Sequence, residues 1–427
     1  MLSKLKNFFY FPGAHYFRFL AKLKLLRWKP YIIVVTGSSG KTTLLHLIES
    51  QMGNKAKYSH LANSSYGVPF DILGLKRKTL MVYEWLFLFI LAPFMLFKKN
   101  PSEKFYVVET DCDRPGEGKF LATLLKPKIT LWTGVSRTHT ANFNSEATKG
   151  KFRKVEKAIA FEYGFFIEKT SELAVVNGDL NFIAEELKRA KGKVVKISIK
   201  NLKEYKVGYS GTVYRTEDKT FEFKFLLPKE FFYSLQMMFV VLDKLNIKAD
   251  LSFKNFSIPP GRSKIFNGIK NTTIIDSTYN ATPEAVSAVL NMFSTYPSKD
   301  KWLVLGDMIE LGNEEREEHE NLSEKIAKIK ARKIILVGPR LSKYTYTKLR
   351  TKNEKLRTND KKVVSFIMPK EALSYIEKNL RGGETILFKG ARFLEGVIEN
   401  LLEDKRNIDK LPRREKVWEK RRKKFGL

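Results

Sequence analysis

The sequence predicts an α/β protein made of two successive domains, each built on a mostly parallel sheet. Short β-branched runs recur at strand length, and each is followed by a segment with helical spacing, the grammar of doubly wound sheets. Pro259-Pro260-Gly261 interrupts the series, since two prolines cannot continue a helix or a central strand and the glycine frees the next turn. A larger domain over 31–258 and a smaller one over 259–403 are therefore expected, with a basic segment at 1–30 and a basic tail at 404–427.

Tyr31–Thr36 (YIIVVT) is the first strand, stopped by a glycine turn, and Lys41–Met52 carries helical spacing at Leu44, Leu45 and Ile48. Phe105–Glu109, Ile129–Trp132 and Leu173–Val176 read as further buried strands. Between Lys193 and Leu227 the runs KVVKISI, KVGYS and FEFKFLL predict a small β meander at the side of this sheet. Beyond the hinge, strands are expected at Thr273–Asp276, Trp302–Leu305, Lys333–Val337, Val363–Ile367 and Thr385–Phe388, with helices between them.

Of 427 residues, 78 are Lys or Arg and 46 are Asp or Glu, for a formal charge of +32, which excludes a plain acidic enzyme. Residues 1–30 hold seven Lys/Arg and no acid, and 404–427 hold eleven against four, so the two ends supply nearly half of it. The remainder is scattered, without the ordered basic and aromatic groove that a nucleic-acid partner needs. The single cysteine, Cys112, cannot close an internal disulfide, and a reducing, cytoplasmic compartment follows most simply.

Two segments are membrane-seeking. Leu80–Phe97 is eighteen residues with one charge, Glu84, between basic flanks. Its length approaches that of a bilayer span, about 27 Å at 1.5 Å per residue. A crossing there would separate the glycine loop at 37–43 from Glu109 and His139. A segment lying on or dipping into one leaflet is preferred, and an insertion buried against its own domain is the alternative. Residues 1–29 interleave aromatic and basic side chains, as interfacial helices do. The two together predict peripheral contact with the inner face of a membrane.

Gly37-Ser38-Ser39-Gly40-Lys41-Thr42-Thr43 follows a strand and opens a helix. Its glycines let backbone N–H groups approach phosphates, Lys41 neutralises them, and the Thr42 hydroxyl can ligate Mg²⁺. Two residues separate the glycines, where a Walker A loop has four. This short loop resembles the ATP loop of the Mur ligases and folylpolyglutamate synthetases, which form amide bonds through an acyl phosphate.

Further segments, in the same order, resemble the branch of the Mur ligases that adds D-alanyl-D-alanine. They are Asn63–Pro69, Val107-Val108-Glu109 with Gly116-Glu117, Thr138-His139, Lys154-Val155-Glu156, Asn177-Gly178-Asp179, Gly261-Arg262, Ser277–Ala281, Gly306–Gly312 (GDMIELG) with His319, and Lys389–Arg392 (KGAR). The resemblance covers about residues 31–402. It implies a P-loop-type ATPase central domain followed by a Rossmann-like C-terminal domain.

It also implies a site. Lys41 and the loop amides would hold ATP, Thr42 and Glu109 a first Mg²⁺, and His139 a second. Lys154 corresponds to a lysine that becomes carbamylated and joins that second metal, although Lys151 and Arg153 stand beside it and a solvated basic helix face is the alternative. Arg262 would reach the γ-phosphate. Asp276 and Asn280 would lie near the nucleotide, with Asp276 replacing the aspartate that the family has at position 277. Asn63, Lys389 and Arg392 would face substrate, though the last two also fit a plain basic pair at a helix start.

The chain departs from the family in two more places. The 30 residues before the loop have no room for the domain that grips the UDP end of the substrate, and Phe231–Gln236 stands where an asparagine approaches adenine. The expected activity is ATP-dependent peptide-bond formation on an anionic UDP- or lipid-linked cell-wall precursor, with D-Ala-D-Ala or a similar amino component. The chain would act as a monomer or with a substrate-binding partner. A ligase of the same architecture acting on a polyglutamate-like or other envelope acid is the second reading. A non-catalytic nucleotide-binding scaffold is the third.

Overall fold

The computed structural model describes residues 10–60, 62–77, 83–148, 152, 154–355 and 362–427. Residues 1–9 and 80–82 of the two membrane-seeking segments lie outside the described residues, as do Lys151 and Arg153. The chain divides into two units. The first comprises 1–136, 142–198 and 233–257, and the second 137–141, 199–232 and 258–427.

The first unit is built on a six-stranded parallel sheet. Its strands are β1 (Tyr31–Thr36), β2 (Ala56–Tyr58), β3 (Phe105–Glu109), β4 (Ile129–Trp132), β5 (Leu173–Asn177) and β6 (Lys193–Ile197), in the order β2-β3-β1-β4-β5-β6. Central strands β1, β3, β4 and β5 are buried almost throughout, because helices cover both faces. Consecutive crossovers run to opposite sides of β1, so the loop after it opens at the topological switch point where α/β sheets bind ligands.

Two helices extend this core. The N-terminal helix, Tyr10–Trp28, buries Ala14, Phe17, Leu20, Ala21 and Leu25 against the helices Gly67–Leu73 and Tyr83–Phe94. Phe17 meets the rings of Phe70 and Phe89, each at 4.7 Å between centroids. Lys24 is buried too, and its ammonium donates to the Met95 and Lys98 carbonyls at 3.2 and 2.6 Å. Among the described residues no helix is long and apolar enough to cross a membrane.

The second unit carries another six-stranded sheet, of β10 (Lys264–Gly268), β11 (Thr272–Ser277), β12 (Lys301–Gly306), β13 (Lys333–Val337), β14 (Lys362–Phe366) and β15 (Thr385–Lys389). The order is β10-β11-β15-β12-β13-β14, parallel except for the β10–β11 edge hairpin. β10 was not expected, since KIFNG is short and its pairing with β11 depends on the turn at 269–271.

The meander differs from its expectation. Lys193–Ile197 is the parallel edge strand of the first sheet, whereas β7 (Glu204–Val207), β8 (Thr212–Arg215) and β9 (Thr220–Phe223) form a separate antiparallel sheet that groups with the second unit. The turns between β7, β8 and β9 have four residues each, which permits only hairpins, while parallel pairing needs a long crossover. Residues 404–427 are likewise more than a charged tail. Leu411 is buried, Arg413 reaches the carbonyls of Thr278 and Tyr279, and the helix Lys416–Lys424 buries Arg422, whose guanidinium donates to the Arg413 carbonyl.

Candidate active site

In the first unit the loop 37–40 turns from β1 into the helix Lys41–Met52. Gly37 has φ +123°, and a Cβ there would fall 2.4 Å from Thr133 Oγ1 and 2.8 Å from the Gly134 backbone, so only glycine fits. The Thr133 hydroxyl donates to Ser39 O at 2.6 Å, and Ser38 N donates to Gly134 O at 3.0 Å. The β4 strand end thus clamps the loop from outside. Gly40 precedes the helix in the left-handed conformation, and no side chain caps the helix start. Uncapped N–H groups with a lysine at the first turn make a site for phosphate. Thr42 and Thr43 are half-buried on that turn.

Lys41 is buried, and its ammonium lies 2.6 Å from Asp111 Oδ2 and 2.6 Å from the Gly37 carbonyl. Burial works against its charge, but Asp111 first and Glu109 next outweigh it and hold the pKa above the ordinary lysine value. Asp111 also accepts from the Tyr163 hydroxyl at 2.7 Å and Cys112 N at 2.9 Å through Oδ1.

Glu109 ends β3, buried, with its backbone N–H on Ser59 Oγ and Asn63 Nδ2 at 3.5 Å from its carboxylate. The expected substrate residue Asn63 therefore lies beside the expected metal ligand. Carboxylate and hydroxyl oxygens suit a hard divalent cation, and Glu109 and Thr42 fit that requirement.

Glu117, of the Gly-Glu pair, is buried. It accepts from Tyr10 (2.5 Å) and Ser65 (3.0 Å) through Oε1 and from Asp113 N (2.8 Å) through Oε2. It thereby ties the N-terminal helix to the loop that carries Asp111. Lys154 is exposed at the start of the helix Val155–Lys169 and lines an open cleft of about 590 Å³ with Lys157, Asp179, Asn181 and Glu185. Tyr233, in the segment that stands where the family's asparagine approaches adenine, donates to Asp179 Oδ2 at 2.7 Å.

In the second unit the strand ends of β11, β12 and β15 gather most of the remaining expected residues. Lys389 ends β15 in a buried position, and its Nζ lies 2.7 Å from the Asn280 carbonyl and 3.3 Å from its Oδ1. Burial first, then the charge of Arg262, lowers its pKa to about 7, with Asp276 opposing and Arg413 adding to the fall. Arg262 stacks on the Tyr279 ring at 4.2 Å.

Asp276 does not present itself to a ribose. It is wholly buried, and its Oδ1 accepts from Thr278 N and Oγ1 at 3.0 and 2.7 Å, closing the turn after β11. Desolvation raises its pKa.

Arg392 is held by Asp307, with Nε and a terminal nitrogen both 2.8 Å from Oδ2. Asp307 is fully buried and also accepts from the backbone N–H of Arg340 and Leu341 at 3.1 and 3.0 Å through Oδ1. Gly306 permits this convergence, since a Cβ there would sit 1.9 Å from the Ala391 carbonyl. His319 is buried and neutral by its bonding. One ring nitrogen lies 2.6 Å from the Glu315 carbonyl, the other accepts from Met308 N at 3.2 Å, and burial lowers its pKa. The GDMIELG stretch is thus held by its own carboxylate and by His319. His139 groups with this unit, with Nδ1 at 2.8 Å from Glu310 of the same stretch.

The sequence matches the Mur ligase middle domain over residues 35–238 and the Mur ligase glutamate ligase domain over 261–392. The chain belongs to the Mur ligase family. A UDP-N-acetylmuramoyl-tripeptide–D-alanyl-D-alanine ligase from Rickettsia prowazekii is 24% identical over 385 residues, covering 85% of this chain and 76% of its own length. Its counterpart from Borreliella burgdorferi is 27% identical over 332 residues, covering 72% and 62%. Among solved structures, the MurF ligase of Thermotoga maritima in complex with ADP has the same fold, with a TM-score of 0.72 at 20% identity over 93% of this chain and 84% of that one.

As a Mur ligase the chain is an ATP-dependent ligase, and two of its best-connected polar residues escaped sequence reading. Asp111 stands two residues past the strand-end glutamate, where a carboxylate reads as a solvated loop acid. Only the fold brings it to Lys41. Arg413 lies in a tail whose charge suggested solvent, yet it donates to two carbonyls beside Asn280 and lies 3.3 Å from buried Glu395. The one available signal was local, the buried apolar Leu411-Pro412 pair within a charged run.

Proposed function

We propose that this Mur ligase joins D-alanyl-D-alanine, or a closely similar amino component, to the free carboxylate of a muramoyl tripeptide. The observation that carries this reading is the similarity to ligases of that specificity, over 385 residues in one relative and 332 in another. The substrate carboxylate takes the γ-phosphoryl group of ATP and releases ADP. The amine then attacks the acyl phosphate, a proton leaves the nitrogen, and the tetrahedral intermediate expels phosphate.

Within that chemistry Lys41 and the loop N–H groups neutralise and fix the phosphates, and Asp111 holds Lys41 until they arrive. Thr42 and Glu109 would hold Mg²⁺, which when bound draws charge from the transferring phosphoryl group. Asn63 orients Glu109 and borders the substrate. Arg262 and Asn280 are proposed for the nucleotide, and Lys389 and Arg392 for the amino component. Asp276, wholly buried, is not carried forward as a ribose ligand.

A second Mg²⁺ on His139, and carbamylation of Lys154, each remain part of the proposal, and no step depends on either. Mass spectrometry of protein kept under carbon dioxide should find a carbamate on Lys154; an unmodified lysine there removes that ligand. The lipid-linked form of the precursor and a peripheral position at the membrane also belong to this reading.

ADP release from UDP-muramoyl-tripeptide and ATP, with and without D-Ala-D-Ala, tests the activity. Release that depends on the dipeptide, with a product heavier by its residue mass, is expected. Turnover with glutamate or other single amino acids alone would instead favour a ligase acting on another envelope acid.

A further inference from the structure

The helix Tyr83–Phe94 keeps only Glu84, Leu88 and Ala92 inside, and its opposite face is apolar as well. Tyr83, Leu86, Phe87, Ile90 and Phe94 are each 60–70% exposed, and Phe97 just beyond is 82% exposed. Their spacing of three and four residues sets them along one helix face. The N-terminal helix packed against this one exposes Phe19 and Leu26, seven residues apart on its own outer side. Soluble monomers rarely leave large aromatic side chains in such a row.

The charges around the row have one sign. Lys22, Arg27, Lys29, Lys76, Lys98 and Lys99 are exposed on these helices or the residues flanking them. In 10–29 and 83–100 the only carboxylate is Glu84, which is buried with Arg77 at 3.9 Å. A second copy of this face would meet the same positive charge, whereas an anionic lipid surface complements it. Twelve residues give a helix of about 18 Å, too short for the roughly 30 Å hydrocarbon core, so it lies in the interface rather than across it.

We infer that the exposed face of the helix Tyr83–Phe94, with Phe97 and the basic residues around it, is a docking surface for an anionic phospholipid bilayer. This rests on the peripheral position proposed above and names the surface that would provide it. Aromatic and aliphatic side chains enter the acyl boundary while Lys98, Lys99, Lys22 and Arg27 meet headgroup phosphates. The partly buried Trp85 and Phe89 secure the helix to the first unit from behind.

The test is co-sedimentation of the full chain with phosphatidylglycerol-containing vesicles and with pure phosphatidylcholine vesicles. Binding to the first and not the second is expected, weakening with salt. Leu86→Glu/Ile90→Glu should lower partitioning at least about tenfold, and Lys98→Glu/Lys99→Glu less. Circular dichroism melts and nucleotide binding should stay unchanged in both variants, since all four side chains are exposed. Wild-type protein left in the supernatant with both vesicles, or a Leu86→Glu/Ile90→Glu variant that binds as well as wild type, would overturn the inference. So would a wild-type dimer that this variant dissociates without any vesicle binding. Vesicle binding needs no turnover and the ligase assay on soluble substrate needs no lipid, so either proposal can fail alone.

Discussion

Two buried lysines, one opening the helix after β1 and one ending β15, have opposite surroundings. Lys41, although buried, has the carboxylates of Asp111, Glu109 and Asp113 around it and keeps its charge more firmly than a free lysine does. Lys389 is buried beside Arg262 and Arg413, and its pKa falls to about 7 although Asp276 pulls the other way. Burial penalises both alike, so the sign of the neighbouring charge decides the outcome. A ligase has a use for each result. Phosphate binding needs a permanent cation, while contact with an attacking amine is served by a lysine that can shed its proton near neutral pH.

Removing Lys41 should have the largest effect. Lys41→Ala leaves the incoming phosphates without their counter-charge and exposes them to Asp111 and Glu109, so ADP release should fall about a thousandfold. Lys41→Arg should not restore it, because the planar guanidinium cannot occupy the compact point between Asp111 Oδ2 and the Gly37 carbonyl. A coupled ADP assay with saturating substrates measures both. Wild-type rates in either variant would remove Lys41 from the site.

The carboxylate side of the same pair should cost stability before it costs chemistry. Asp111→Ala strands the buried Lys41 ammonium and the Tyr163 hydroxyl, a loss of about 3 kcal/mol typical of breaking one half of a buried pair. Urea unfolding of the two variants side by side sharpens the comparison. A double variant Lys41→Met/Asp111→Leu should recover much of the stability lost in Asp111→Ala while remaining inactive, and no recovery would mean the pair is not energetically coupled.

How much of this was legible follows the range of each cause. The sheets were readable because strand runs and helical spacing are local patterns, and the phosphate loop because seven consecutive residues specify it. β10 and the separate meander sheet were not, since pairing partners are chosen in three dimensions. Asp276 was assigned to a ligand from its neighbour in the motif, but only the fold reveals that its carboxylate turns inward to Thr278. The GDMIELG stretch was matched to the family without a reason for its aspartate. Asp307 ties the site together because two other loop starts, at 340 and 392, bond to its one carboxylate. Nor can a sequence announce that Lys389 is a weakened acid-base group, since its pKa depends on Arg262 and Arg413, which lie far from it in the chain or in a tail that reads as solvent-facing.

The smallest effect, and the one that tests the contrast most directly, concerns pH. The unfolded chain keeps a proton on Lys389 up to the ordinary value of 10.5, whereas the folded chain releases it near 7. Between those values the unfolded state binds more protons, so the group makes folding more favourable as pH rises and less favourable as pH falls towards 7. Below about 7 both states are protonated and the dependence ends. Lys389→Met should therefore flatten the wild-type rise in stability between pH 7 and 10 in urea melts at matched ionic strength. Lys41 supplies the counter-case, for its raised pKa places its own dependence above 10.5, where stability falls with rising pH. On activity, Lys389→Met should cost about tenfold at pH 8 and remove an acid limb near pH 7 from the profile of the amine-dependent step. If the variant keeps that limb, the titrating group lies elsewhere. If the limb goes while stability stays unaltered across pH 7–10, Lys389 titrates only in the presence of substrate.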